Sequence, residues 1–142
     1  MNAVPILVVS PLIESQRSLA RVLRRLRSSH HRARSIAALR LRDPRDFPVV
    51  VCEAQLPDGT WLDVLEWCRT PDSPNVIVTS RLADERLWSE VLHRGAYDLL
   101  AQPFADEELH RVIGLARDEY HRRTEHSAPG PAVDPRPLTY SR

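Results

Sequence analysis

The feature that most limits the folds open to this chain is a set of short, unbroken apolar runs. They are residues 5–9 (PILVV), 47–53 (FPVVVCE) and Asn75–Ser80 (NVIVTS). A strand with one wet face alternates apolar and polar residues, because successive side chains point to opposite sides. These runs do not alternate, so they read as strands covered on both faces, the pattern of a parallel sheet. Residues 31–36 and 96–101 are weaker strand candidates and complete a set of five.

Helical patterns fill the gaps. Ser10-Pro11 stops the first strand and offers a cap and a first-turn proline. Over residues 12–27, Leu12, Leu19, Val22, Leu23 and Leu26 recur at helical spacing, with Arg17, Arg21, Arg24 and Arg25 on the other side. A short helical stretch at 37–42 ends at Asp43-Pro44. The Pro57-Asp58-Gly59 turn precedes a helix over 61–69 that carries Trp61, Val64, Leu65 and Cys68. Trp67 shares that helix with Trp61, so one of the two leans outward. Residues 83–94 form a helix with Leu87, Val91 and Leu92 inward, closed by Gly95, and Trp88 marks it as well. The last helix starts near Ala105 with acids in its first turn, favourable to the helix dipole. It runs to about Arg123, with Leu109, Val112, Ile113, Ala116 and Tyr120 inward.

Five strands alternating with helices predict an α/β domain: a doubly wound, five-stranded parallel sheet with five helices. Sites in such folds lie at the carboxyl ends of strands, here Ser10, Glu53, Ser80 and Gln102. The folded unit is expected over residues 1–125. Residues 126–142 (HSAPGPAVDPRPLTYSR) are dense in proline and poor in large apolar residues, and are expected to be disordered or loosely draped.

Composition narrows the classes further. With 42% hydrophobic and 27% charged residues the chain is an ordinary globular protein. No apolar run nears the ~20 residues of a membrane span, and no basic leader precedes the first strand, so a cytoplasmic location is expected. Cys52 and Cys68 form no CxxC pair and read as buried thiols. His30, His31 and His110 make no metal set and read as surface histidines. All 20 basic residues are arginine, so no lysine ammonium is available to any site. Their distribution is uneven. Residues 1–47 carry ten Arg against Glu14, Asp43 and Asp46, a net of +7, and the remainder carries −6.

Three segments carry a resemblance: CEAQLPDG (52–59), VIVTS (76–80) and RGAYDLLAQPF (94–104). In this order and spacing, over residues 4–123, the chain resembles the receiver domains of bacterial response regulators, the chemotaxis-regulator-like fold. The resemblance implies the flavodoxin-like strand order 2-1-3-4-5. It also implies a site in which a strand-three Asp accepts phosphate and an acidic pair after strand one holds Mg²⁺. A Ser or Thr ends strand four in that site, and a Lys stands before a cis-proline after strand five. This chain departs at nearly every position. Glu53 stands at the phosphoacceptor, Ser10 and Pro11 replace the acidic pair, and Gln102 replaces the Lys. Leu99 takes the place of the usual switch aromatic. Ser80 keeps a hydroxyl, and Pro103 keeps the candidate cis-proline.

Those departures remove both electrostatic contributors to phosphoryl transfer. Mg²⁺ wants hard, usually anionic oxygen ligands, and Ser10 and Pro11 supply none. The expectation is a degenerate pseudo-receiver with no cofactor and no catalysis of its own, working through protein partners such as a histidine kinase, phosphotransfer protein or effector. No output domain is expected in the chain. Glu53 reads either as a mimic of the phosphorylated Asp, reaching toward Ser80, or as a tolerated acid at an exposed strand end. Tyr97 and Asp98 lie on the face of the fourth helix, fifth strand and fifth helix, which receivers use for dimerisation and output. They are partner-contact candidates, as are Arg17, Arg21 and Arg24 of the basic helix. Two alternatives stand beside this reading: a genuine phosphoacceptor using Glu53, and a nucleic-acid module using the basic helix. The second lacks any recognition motif, zinc spacing or stacking platform.

Overall fold

The computed structural model describes residues 3–127. Five long strands alternate with five helices: β1 Val4–Val9, α1 Ile13–Arg25, β2 Ser28–Ala33, α2 Ile36–Leu39, β3 Val49–Glu53, α3 Trp61–Trp67, β6 Asn75–Ser80, α4 Glu85–His93, β7 Asp98–Ala101 and α5 Asp106–Ser127. A 3-10 turn, Pro44–Asp46, leads into β3, and a two-residue hairpin, β4 Gln55–Leu56 with β5 Gly59–Thr60, precedes α3. The main sheet is parallel throughout, in the order β2-β1-β3-β6-β7. Counting only its five strands along the chain, that order is 2-1-3-4-5, the doubly wound flavodoxin-like arrangement.

The unbroken apolar runs now have a geometric cause. Ile6 and Val8 of β1 point into a core shared with α1 and α5, where they meet Leu19, Val22, Leu109 and Ile113. Leu7 and Val9 point into a second core under α2, α3 and α4, with Ile36, Trp61, Val64 and Val91. Val49 and Val51 of β3 join the first core, Val50 and Cys52 the second. Residues 6–9 of β1, 49–52 of β3 and 76–79 of β6 are therefore all buried. Burial pushes the Cys68 thiol up to about 12 and raises Cys52 further still, so both stay protonated and behave as small apolar groups.

Element boundaries moved where side chains cap and turn the chain. Ser10 does not cap α1. Its hydroxyl accepts the Leu12 amide at 3.1 Å, and the helix begins at Ile13. Arg27 takes a left-handed conformation (φ 56°) just after α1. This reverses the chain early, so β2 occupies Ser28–Ala33 rather than 31–36. Ser35 then caps α2 by accepting the Ala38 amide at 3.1 Å. The last helix extends to Ser127, and Tyr120 on it is half-buried rather than inward. Leu87 and Leu92 of α4 are likewise half-buried, flanking the fully buried Val91. Trp61 is buried, and Trp67 leans out, its indole donating to the Arg42 carbonyl at 3.2 Å. Residues 128–142, most of the proline-rich tail, lie outside the described residues.

The turn after β3 does more than reverse the chain. Asp58 accepts the amides of Ile36 at 2.7 Å and Ala37 at 3.0 Å, tying the turn to the start of α2. Those two amide bonds hold the Asp58 carboxyl below its ordinary 3.8. A carboxyl whose folded value is lowered stabilises the fold above the ordinary value, and that contribution disappears as pH falls through the folded one. Asp58→Asn is therefore expected to lose stability at neutral pH and to flatten the acid limb of the stability profile. Urea melts of both proteins from neutral pH to about pH 3 measure this; parallel profiles would refute it. Gly59 beside it leaves no room for a side chain. A Cβ there would sit 2.5 Å from Asp63 Oδ2 and 2.9 Å from Ile36 Cγ1. Asp63 uses that oxygen to accept the Thr60 amide in the capping box that starts α3.

Candidate functional site

The parallel sheet delivers four chain segments to one edge. Ser10 follows β1, Glu53 ends β3, Ser80 ends β6 and Gln102 follows β7. Backbone bonds continue the ladder just past the strands. Ser10 N–H reaches the Ala33 carbonyl at 3.0 Å, Ala54 N–H the Thr79 carbonyl at 2.8 Å, and Gln102 N–H the Ser80 carbonyl at 3.0 Å. Glu53, Thr79, Ser80 and Gln102 line a pocket of about 190 Å³, with Arg81 and Leu82 at its rim.

On the β1 side, the Ser10 hydroxyl donates to Glu53 Oε2 while accepting the Leu12 amide. Ser10 is 2% exposed and Glu53 is half-buried, so this bond is partly shielded from solvent. It ties the β1–α1 turn to the end of β3. Pro11, the second position of the expected acidic pair, is exposed. Glu53 therefore turns toward Ser10. Its carboxylate meets Ser10 rather than reaching Ser80, whose hydroxyl accepts the Leu82 amide.

On the β7 side, Gln102 Nε2 donates to the Thr79 hydroxyl at 3.1 Å, and Thr79 in turn donates to the Cys52 carbonyl at 3.4 Å. The hydroxyl that faces the centre of the site is thus Thr79, which the sequence reading passed over for Ser80. Ser80 spends its hydroxyl on the Leu82 amide at 3.0 Å, shaping the loop before α4. The folded register decides between them: Glu53 pairs with Thr79, not Ser80, in the β3–β6 ladder. The Gln102–Pro103 bond is cis.

The remaining candidates fall elsewhere. Leu99 is buried in the core under α3 and α4. Tyr97 is half-buried against the α1–α5 core, and its hydroxyl is pushed up by burial and by Glu119 and Asp98. The Asp98 carboxylate accepts the Leu99 amide at 2.8 Å. Arg21 meets Asp106 at 3.5 Å and Arg25 meets Glu107 at 3.2 Å, so part of the basic face of α1 is spent on the first turn of α5. Arg17 and Arg24 are exposed. Among the described residues no group of three His, Cys, Asp or Glu side chains comes together, and no helix is long and apolar enough to cross a membrane.

With this geometry in hand, solved structures give the class. The beryllofluoride-activated NtrC4 receiver domain dimer superposes with a TM-score of 0.74 at 26% identity, covering 82% of this chain and 98% of that one. The receiver domain of an HD domain-containing protein from Pseudomonas fluorescens Pf-5 gives 0.73 at 25% identity, over 85% and 99%. A CheY-like response regulator receiver from Methanospirillum hungatei JF-1 gives 0.75 at 17%, over 86% and 99%. No family model matches the sequence, and no curated protein does. The chain has the receiver fold of two-component response regulators.

Proposed function

We propose that this chain is a phosphorylation-independent receiver that signals in the cytoplasm by binding other proteins. The observation that carries this reading is the Ser10–Glu53 hydrogen bond. Where a phosphorylatable receiver needs anionic metal ligands beside a free acceptor carboxylate, this chain has a neutral hydroxyl that occupies Glu53, the one carboxylate lining the pocket among the described residues. A magnesium ion does not fit the donors present among the described residues: one engaged carboxylate, neutral hydroxyls and side-chain amides, and backbone carbonyls. Gln102 reaches Thr79 as a hydrogen-bond donor but brings no charge to offset a phosphoryl group. Incubation with acetyl phosphate and Mg²⁺, followed by intact-mass spectrometry, is expected to leave the mass unchanged. A phosphoryl adduct on Glu53 would establish the rival reading, a working phosphoacceptor.

The contact surface proposed for partners, a histidine kinase, phosphotransfer protein or effector among them, is the face of α4, β7 and α5. Trp88 on α4 is 48% exposed and Leu115 on α5 49%, large apolar groups left at the surface. Leu115 lies on the flank of α5 away from Arg117, which bonds to the Leu26 carbonyl beside α1. The NtrC4 receiver is a dimer, and a second copy of this chain is one occupant the face would take. Sedimentation equilibrium should give a dimer that Trp88→Ala weakens by about tenfold or more. A monomer at all concentrations assigns the face to a different partner.

A further inference from the structure

A second surface lies away from the sheet edge just described. The loop after α2 and the loop after α3 enclose an open groove of about 530 Å³ lined by Leu41, Arg42, Pro44, Arg69, Thr70 and Pro71, together with the Asp43–Arg45 pair. Leu41 is 88% exposed, the most exposed large apolar side chain among the described residues. Asp43 is clasped by Arg45 through two bonds, 2.8 and 3.1 Å, which cancels its charge. Asp46 lies close enough to Arg45 to add to that local balance. The Arg42 guanidinium donates only to a carbonyl, that of Arg32 at 3.2 Å, and Arg69 has no ion-pair partner among the described residues. Two cationic charges therefore border the groove uncompensated.

A covered polar atom on a residue that lines the groove bears on the same surface. Thr70 Oγ1 is buried and has no hydrogen-bond partner among the described residues. A buried hydroxyl left unpaired costs the fold about 1–3 kcal/mol, so native chains rarely carry one without a use. The Trp67 indole, near the end of α3, donates to the Arg42 carbonyl and so links the two loops that form the groove.

We propose that this groove docks a short acidic segment of a partner protein. An apolar side chain of that segment would pack on Leu41, Pro44 and Pro71. Its carboxylates would meet Arg42 and Arg69, and the half-buried Thr70 would turn its side chain outward to donate its hydroxyl to the segment. The occupant is a peptide rather than a nucleic acid because the lining offers apolar packing and no aromatic ring on which a base could stack. The groove is separate from the Ser10–Glu53 site, and the proposal stands whether or not Glu53 accepts phosphate.

The test is a titration of the full ¹⁵N-labelled chain with an amidated hexapeptide of four Glu and two Leu. A peptide with Lys in place of Glu and a single-stranded oligothymidylate serve as the other arms. The acidic peptide should shift the amides of Leu41, Arg42, Arg69 and Thr70 saturably. R69E and L41S, both on exposed side chains, should each weaken binding by about tenfold. Thr70→Val is the discriminating variant. It removes the orphaned hydroxyl, so the free protein should be at least as stable, yet peptide binding should fall. No localised shifts, binding unchanged in R69E, or the same shifts from the oligothymidylate alone would overturn the proposal.

Discussion

A chain carrying Ser10→Asp, Pro11→Asp, Glu53→Asp and Gln102→Lys is expected to take a phosphoryl group from acetyl phosphate in the presence of Mg²⁺, where the natural chain is expected to take none. The reasons are electrostatic and local. Two carboxylates after β1 and a third at the end of β3 would restore hard anionic ligands at the mouth of a pocket whose backbone is already in place. A lysine at 102 would add a charge that the present amide cannot supply. Thr79 needs no change, because its hydroxyl already sits at the centre of the site. Returning position 102 to Gln in the rebuilt chain should slow labelling by about 10²–10³-fold, the usual effect of deleting one charge-stabilising donor. Stability gives an independent readout. Three carboxylates crowded at a site where Ser10 is now 2% exposed will repel one another, lowering the melting temperature until Mg²⁺ is added. A rebuilt chain that binds Mg²⁺ yet takes no phosphate would show that the pocket's shape, rather than its charge, has been lost.

Leu109→Ala is expected to cost about 2–5 kcal/mol, a large part of the stability of a domain this size. Leu109 is fully buried on α5, and α5 packs on both β3 and β6 as well as on α1. Its neighbours in the core include Val49, Val51 and Ile77, β-branched residues held in strands. Such side chains have few alternative rotamers, and the ladder fixes their backbone, so the void cannot collapse. Urea denaturation should show the midpoint falling with an unchanged slope. A loss under about 1 kcal/mol would mean that α5 docks less tightly than its burial indicates. Leu115→Ala on the exposed side of the same helix provides the comparison and should change stability by less than about 0.5 kcal/mol.

The strand runs, the helix faces and the parallel sheet were legible in the sequence because burial on both faces leaves a local mark: consecutive apolar residues through the middle of β1, β3 and β6. The loss of the acidic pair and of the lysine was equally plain, since a missing charge is a property of residue type. The partners of the remaining polar groups could not be read that way. Whether Glu53 turned to Ser80 or to Ser10 depended on which strand ends lie side by side, and β1 is the neighbour of β3 only in the folded sheet. The choice of Thr79 over Ser80 rested on one residue of register between β3 and β6, a difference that reverses which face a side chain takes. β2 was misplaced because its start is set by the left-handed Arg27 and its end by the Ser35 cap. The groove at Leu41 had no sequence signature, for it is made by two loops 27 residues apart along the chain, joined by the Trp67–Arg42 bond. Sequence determined what each residue could bury or donate; only the tertiary structure decided which partner was within 3 Å of it, because hydrogen bonds are short and these partners are distant along the chain.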